Sequence, residues 1–212
     1  ELDISNDYSW NFNVKLENQN QGGPIFLNSS SWNNLVKDDG YSIGYWDNTM
    51  NFGICSTVDQ ITTCYQVRSE EIILNNNGWH QFTIVKENGV VTIYLNGEDK
   101  TDYNWNIWNG VDLSVYYIAN TASLFIGRAY TDVTEQGVYK FDGKLDNISI
   151  WNTALNEQEM QDYVICSPQG DEDGLIGYWN FEEGSNEGEV LDISLNGNNG
   201  TINGATYSED VF

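Results

Sequence analysis

Three groups of residues carry types and spacings that could do chemistry. The first is Asp99-Lys100-Thr101-Asp102-Tyr103-Asn104-Trp105-Asn106-Ile107-Trp108-Asn109-Gly110, which runs on to Tyr116-Tyr117. Trp105 and Trp108 interleaved with asparagine, with Tyr103 beside them, suit a sugar. The indole face meets the apolar C–H face of a pyranose, and the amides take its hydroxyls. The same rings could instead plug the end of a β-sandwich, and residue type alone leaves both readings open. Trp32, Trp46, Arg68 and Arg128 are further candidates for the same ligand. The second group is acidic: Asp38-Asp39, Glu70-Glu71 and Glu182-Glu183. Neighbours on a strand point to opposite faces, so none of these is a matched acid and base. The third is His80, the one histidine, which sits between Trp79 and Gln81 and reads as a structural residue. Ser, His and Asp all occur, but no Gly-x-Ser-x-Gly elbow presents a nucleophile. Binding is the expectation, and catalysis is not.

Cysteine usage points to an oxidising compartment. Cys55 and Cys64 lie equidistant from Asp59-Gln60, inside two strand-like runs, Phe52–Cys55 and Ile61–Tyr65. A hairpin about that loop puts them directly opposite, with the short Cβ separation a disulfide needs. Cys166 is left as the odd thiol, and no cysteine spacing resembles a zinc site.

Charge narrows the partners. The chain has 32 acidic and 8 basic side chains among 212 residues, a net charge of −24. That balance repels nucleic acid and anionic lipid, and no Lys/Arg cluster reverses it locally. It favours oxygen-rich sites for hard cations. A heavily sulfated glycan would be repelled unless calcium or a local Arg68/Arg128 patch intervened. No run of about 18 apolar residues exists, so no membrane insertion is expected. The start on Glu1-Leu2-Asp3-Ile4 reads as a mature or trimmed product.

The elements that must position these residues are strands. Aromatics make up 14% of the chain, with 20 glycines and 2 prolines, a composition of pleated surfaces and tight turns. The Asn88-Gly89 turn predicts a hairpin pairing Phe82 with Leu95, Ile84 with Ile93 and Lys86 with Val91. Other strands are predicted at Tyr8–Leu16, Tyr41–Trp46, Met50–Cys55, Ile61–Val67, Ser123–Gly127, Lys144–Trp151, Leu175–Phe181 and Gly200–Ile202. Asn156 with Glu159 forms a capping box, which predicts one short helix near residues 156–164, with Leu155 and Met160 as its staple. Trp79, Trp151 and Trp179 are assigned to the core. The fold class is all-β: a jelly-roll sandwich of two antiparallel sheets with that one helix.

In order, Gly78-Trp79-His80-Gln81-Phe82-Thr83, Ile93-Tyr94-Leu95-Asn96-Gly97, Leu124-Phe125-Ile126-Gly127-Arg128 and Phe141-Asp142-Gly143-Lys144-Leu145-Asp146-Asn147-Ile148-Ser149-Ile150-Trp151 spell a pattern. It resembles the laminin-G-like branch of the concanavalin A-like lectin/glucanase superfamily, in the form common in secreted bacterial proteins. The resemblance covers most of residues 1–165. It implies a sandwich there, a linker at 166–174, and a C-terminal piece at 175–212 that completes the sandwich or opens a further repeat. It also implies one structural calcium on Asp146, with Asn147 as its neighbour. Retaining hydrolases of this superfamily carry Glu-x-Asp-x-x-Glu on a strand, and that spacing is missing here. Residues 99–118 interrupt the family pattern, which strengthens them as a binding insertion. The reading is therefore a calcium-stabilised, non-catalytic carbohydrate-binding module of a secreted polysaccharide-degrading enzyme or surface protein, part of a larger multidomain protein, with a polysaccharide or glycan as partner. An adhesion or protein-interaction domain without a sugar ligand is the alternative, and a glycanase or lyase of the same fold is the third.

Overall fold

The computed structural model describes residues 7–17, 22–28, 40–58, 61–74, 78–104, 123–130, 138–182 and 188–212. In chain order the elements are β1 (Tyr8–Leu16), β2 (Gly23–Asn28), β3 (Gly40–Trp46), β4 (Thr49–Val58), β5 (Ile61–Arg68), β6 (His80–Glu87), β7 (Val90–Leu95) and β8 (Glu98–Asp99). There follow β9 (Phe125–Ile126), β10 (Arg128–Tyr130), β11 (Val138–Lys140), β12 (Gly143–Trp151), α1 (Glu157–Ile165), β13 (Leu175–Trp179), β14 (Glu189–Val190) and β15 (Gly200–Thr201). Two antiparallel sheets form the sandwich. The back sheet has the order β13-β12-β1-β6-β7-β8 and the front sheet β5-β4-β3-β2-β9; β10–β11 and β14–β15 are two-stranded ribbons.

Alternation along β1 explains the core. Tyr8, Trp10, Phe12, Val14 and Leu16 all enter the main apolar cluster, while the intervening Ser9, Asn11 and Asn13 face outward. Trp10 packs against Phe26 at 5.0 Å and Tyr41 at 4.8 Å between ring centroids, and Phe12 meets Phe26 edge-on at 5.0 Å. Rings from the back sheet thus interlock with rings from the front.

The β6–β7 register is the one the Asn-Gly turn predicts: Phe82 faces Leu95, Ile84 faces Ile93 and Lys86 faces Val91. Asn88 and Gly89 both have positive φ, as a type I′ turn demands. Lys86 is buried on the core side, with its ammonium 5.5 Å from the centre of the Tyr8 ring. Burial pushes the Tyr8 and Tyr41 hydroxyls well above their ordinary range.

The helix has its full capping box: Asn156 accepts from the Glu159 N–H, and Glu159 accepts from the Asn156 N–H. It lies over the outer face of the back sheet, where Met160 and Leu155 join Val85, Trp151, Leu175 and Tyr178 in a second apolar cluster. The outer face is therefore buried here as well, and Gln81 reaches the Tyr163 carbonyl at 3.2 Å.

Three features depart from expectation. Strand β2 carries Pro24, a residue that weakens a strand prediction, and a register shift between Pro24 and Phe26 accommodates it. The predicted strand at 123–127 shortens to Phe125–Ile126. Trp79 is partly exposed at the sheet end, where its indole N–H donates to Asp210; Trp151 and Trp179 are buried. Strand β13 hydrogen-bonds to β12, and Asp192 ties the following loop to it by accepting from the Tyr178 N–H at 2.9 Å and the Asn198 N–H at 2.7 Å.

Cys55 and Cys64 are directly opposed on β4 and β5 and are joined in a disulfide. Reducing it should cost about 2–3 kcal/mol by the chain-entropy argument, read as a lower denaturant midpoint, and neither thiol should alkylate without reductant. Trp10→Ala, which empties the centre of the ring cluster, should lose about 3–5 kcal/mol in the same measurement.

Candidate functional site

Two of the sugar candidates, Trp46 and Arg68, lie on the outer face of the front sheet. On β3, Tyr41, Ile43 and Tyr45 point into the core, so Ser42, Gly44 and Trp46 point out. A Cβ built on Gly44 would stand 1.9 Å from the Trp46 ring, so the indole lies across that glycine. Gly44 is opposite Asn51 on β4, and Asn51 is opposite Arg68 on β5. One rung thus presents an indole, an amide and a guanidinium in a row. The Asn51 NH₂ donates to Thr49, which leaves its carbonyl oxygen to offer a ligand.

Arg68 is braced rather than loose. Its Nη2 donates to Asp102 Oδ2 at 3.2 Å, and the Asp102 N–H donates to the Arg68 carbonyl at 2.9 Å. Residues 100–102 therefore lace onto the end of β5 and bring the start of the 99–118 passage to this rung. Tyr103 follows, half-exposed, with its hydroxyl donating to Asp99 at 2.7 Å. Partial burial, then that carboxylate, raise the hydroxyl above the ordinary tyrosine range. Trp32, Trp105 and Trp108 lie outside the described residues.

Arg128 is elsewhere. It stands over the Phe125 ring at 5.4 Å, at the β9 edge of the front sheet, directly opposite Lys140. Arg68 belongs to β5, the other edge. Four strand spacings, roughly 19 Å, separate those edges, so the two arginines are not one patch.

The expected metal residues sit on the far side of the molecule, on the outer face of the back sheet. Asp146 is 4% exposed, and its carboxylate accepts from the Asn147 and Phe212 backbone N–H groups at 2.9 and 3.0 Å. Burial raises its carboxyl above the usual range, those two N–H groups lower it, and the charge of Glu182 raises it further. The amide oxygen of Asn147 is committed to the Tyr178 hydroxyl at 2.8 Å and to Ser167 at 3.3 Å. An open depression of about 370 Å³ beside it is lined by Asn147, Tyr178, Asn180, Glu182 and Phe212 among others.

The donors around Asp146 fit a hard cation. Asn13 is directly opposite Asp146 on one side and Gln81 on the other. Their oxygens, Asn13 Oδ1 and Gln81 Oε1, are buried without a hydrogen-bond partner. Unsatisfied acceptors beside a buried carboxylate are a place for a donor or a cation, and an all-oxygen set suits calcium. Among the described residues no three His, Cys, Asp or Glu side chains gather into a metal cluster, so amide oxygens would have to supply part of any shell. Asn13 and Gln81 are not legible as ligands in the sequence: both are strand amide residues far apart in the chain, and only the ladder brings them to Asp146.

The sequence also gives no hint of a further cluster on this face. Asp210 Oδ2 accepts from Lys15 and Lys144 at 2.8 and 2.7 Å, and its Oδ1 from the Trp79 indole at 3.3 Å. The two ammonium groups hold its carboxyl well below the usual range.

A two-sheet jelly roll with an aromatic and polar outer face defines a lectin-type sandwich. The chain belongs to the concanavalin A-like lectin/glucanases superfamily, whose family profile matches residues 1–161. No curated protein matches the sequence. Among solved structures, it is similar to a Bacteroides ovatus protein for which carbohydrate binding is proposed: 15% identity, TM-score 0.62, over 97% of this chain and 56% of that one. The chain thus spans a little over half of that protein. It is also similar to the CBM40 of the Ruminococcus gnavus IT-sialidase, at 12% identity and TM-score 0.53 over 76% of this chain and 89% of that one. The same CBM40 with α2,3-sialyllactose bound gives a TM-score of 0.51 at 12% identity, over the same shares of the two chains. These likenesses establish the fold.

Proposed function

We propose that this chain is a non-catalytic carbohydrate-binding module acting outside the cell, as part of a larger secreted or surface protein. The carrying observation is the Trp46 indole, laid across Gly44 beside Asn51 and Arg68. A flat aromatic flanked by an amide and a charged donor is what pyranose recognition uses: the ring takes the C–H face and the polar groups take the hydroxyls. Similarity of fold to a CBM40 that binds sialyllactose supports the reading. The disulfide supports an oxidising compartment. Among the described residues no helix is long and apolar enough to cross a membrane.

The platform is tested with a panel of polysaccharides and oligosaccharides by calorimetry. Trp46→Ala should weaken binding at least tenfold, about 1.4 kcal/mol, with the melting curve retained. Gly44→Ala should weaken binding too, because a methyl there displaces the ring, and it should also lower the melting temperature, since the same methyl would stand 2.9 Å from the Gly23 carbonyl oxygen. Trp105→Ala and Trp108→Ala test the insertion as a second platform following Tyr103. If those two abolish binding while Trp46→Ala leaves it intact, the insertion is the site; if the parent binds no glycan, the reading falls.

Calcium is the second part of the proposal. Asp146 would hold it with the oxygens of Asn13 and Gln81, and the ion would supply a fixed positive charge that satisfies three buried acceptors. It would lie on the sheet opposite Trp46, so its role would be structural. Chelation should lower the melting temperature of the parent and leave that of Asp146→Asn unchanged, because only a folded-state ligand stabilises. Equal melting of the parent with and without chelator, with no metal in the purified protein, would count against it.

A further inference from the structure

Lys15 and Lys144 are directly opposed on β1 and β12. Like charges in opposed positions destabilise a ladder unless an opposite charge lies between them. With only 8 basic side chains against 32 acidic ones, two cations on one rung are a local demand for an anion, not a general coating of charge. The anion is Asp210, clamped by both ammonium groups and by the Trp79 indole N–H.

More than the carboxylate is recognised. The Phe212 ring stands edge-on to Trp79, with centroids 6.5 Å apart, and the Phe212 N–H donates to the buried Asp146. One carboxylate, one aromatic ring and one backbone N–H of the stretch Ser208–Phe212 are thus all recognised: the carboxylate by Lys15, Lys144 and Trp79, the ring by Trp79 and the N–H by Asp146. That stretch makes no strand of its own, and Val211 and Phe212 remain 54% and 43% exposed. Its hold is polar, through two part-exposed ion pairs that share one carboxylate, and such surface pairs contribute little each. Little buried apolar surface opposes its exchange.

The geometry points to a peptide-docking site: the surface of Lys15, Lys144, Trp79 and Asp146 recognises an acidic peptide of the form Asp-x-aromatic, and Ser208–Phe212 fills it from within the same chain. A matching segment of another protein exchanges with it. The tethered segment competes at an effective concentration in the millimolar range, which keeps the site closed to weak ligands. The site is independent of the Trp46 platform, which lies on the other sheet.

The full chain carrying Asp210→Ala is titrated with the blocked peptide Ser-Glu-Asp-Val-Phe. This variant should bind it, and the parent at least tenfold more weakly, since its own segment competes. Lys15→Met or Lys144→Met added to Asp210→Ala should abolish binding, as should asparagine for aspartate in the peptide. Asp210→Asn, which keeps the shape and removes the charge, is read in the same way if the alanine variant does not fold. No peptide binding by a folded variant, or binding indifferent to both lysines, overturns the proposal. Oligogalacturonate run in parallel separates the chemistries: its binding without that of the peptide makes this an acidic-sugar site and also overturns the proposal. Glycan binding lost in Trp46→Ala but kept in Lys15→Met separates this test from that of the front-sheet site.

Discussion

Everything in this molecule leans on the register of β1. The strand is hydrogen-bonded on both sides, to β6 and β12, so its alternation is set once for the whole back sheet. A slip of one residue would turn Trp10 and Phe12 outward and Asn11 and Asn13 inward. Ring packing against Phe26 and Tyr41 makes that slip costly, because buried aromatics contribute both area and geometry. The inner rings and the outer polar row are therefore consequences of one constraint.

The outer row is unusual in being covered. Helix α1 closes over one part of it, and residues 208–212 cross another, so Asn11, Asn13, Gln81 and Asp146 are buried polar residues on the outside of a sandwich. Buried polar groups must find partners, and a strongly acidic chain has few cations to supply. This concentrates the positive charge the face needs: two lysines meet one carboxylate on one rung, and buried oxygens surround another carboxylate a short way along the same strands. The front sheet solves a different problem. Its outer face carries an indole that the glycine at 44 leaves room for, and the braced Arg68 extends the same rung.

Division of labour between the sheets follows. The front sheet offers shape and apolar surface with a few directed polar groups, suited to a neutral or weakly charged ring. The back sheet offers electrostatics, suited to a metal ion or an acidic chain segment. Because the sheets share one ring core, a ligand on either face stabilises the same folded unit without the two sites touching.

Local chemistry was legible in the sequence, and long-range pairing was not. The Asn88-Gly89 turn, the Asn156–Glu159 capping box and the Cys55–Cys64 pairing all act within about ten residues, where turn geometry determines the partner. The tetrapeptide Ile-Gly-Tyr-Trp shows the limit, since it occurs at 43–46 and again at 176–179. In both copies the indole lies over the glycine two residues earlier, a local outcome. Yet Trp46 faces outward from the front sheet while Trp179 is buried in the main core, because which face of a strand meets the other sheet is decided by its neighbours. Pattern alone places Trp79 in the core, yet it sits at the rim, held by an aspartate 131 residues away. Lys15 and Asp210 are 195 residues apart. No periodicity encodes such a meeting; it exists only once the ladder has brought the strands together.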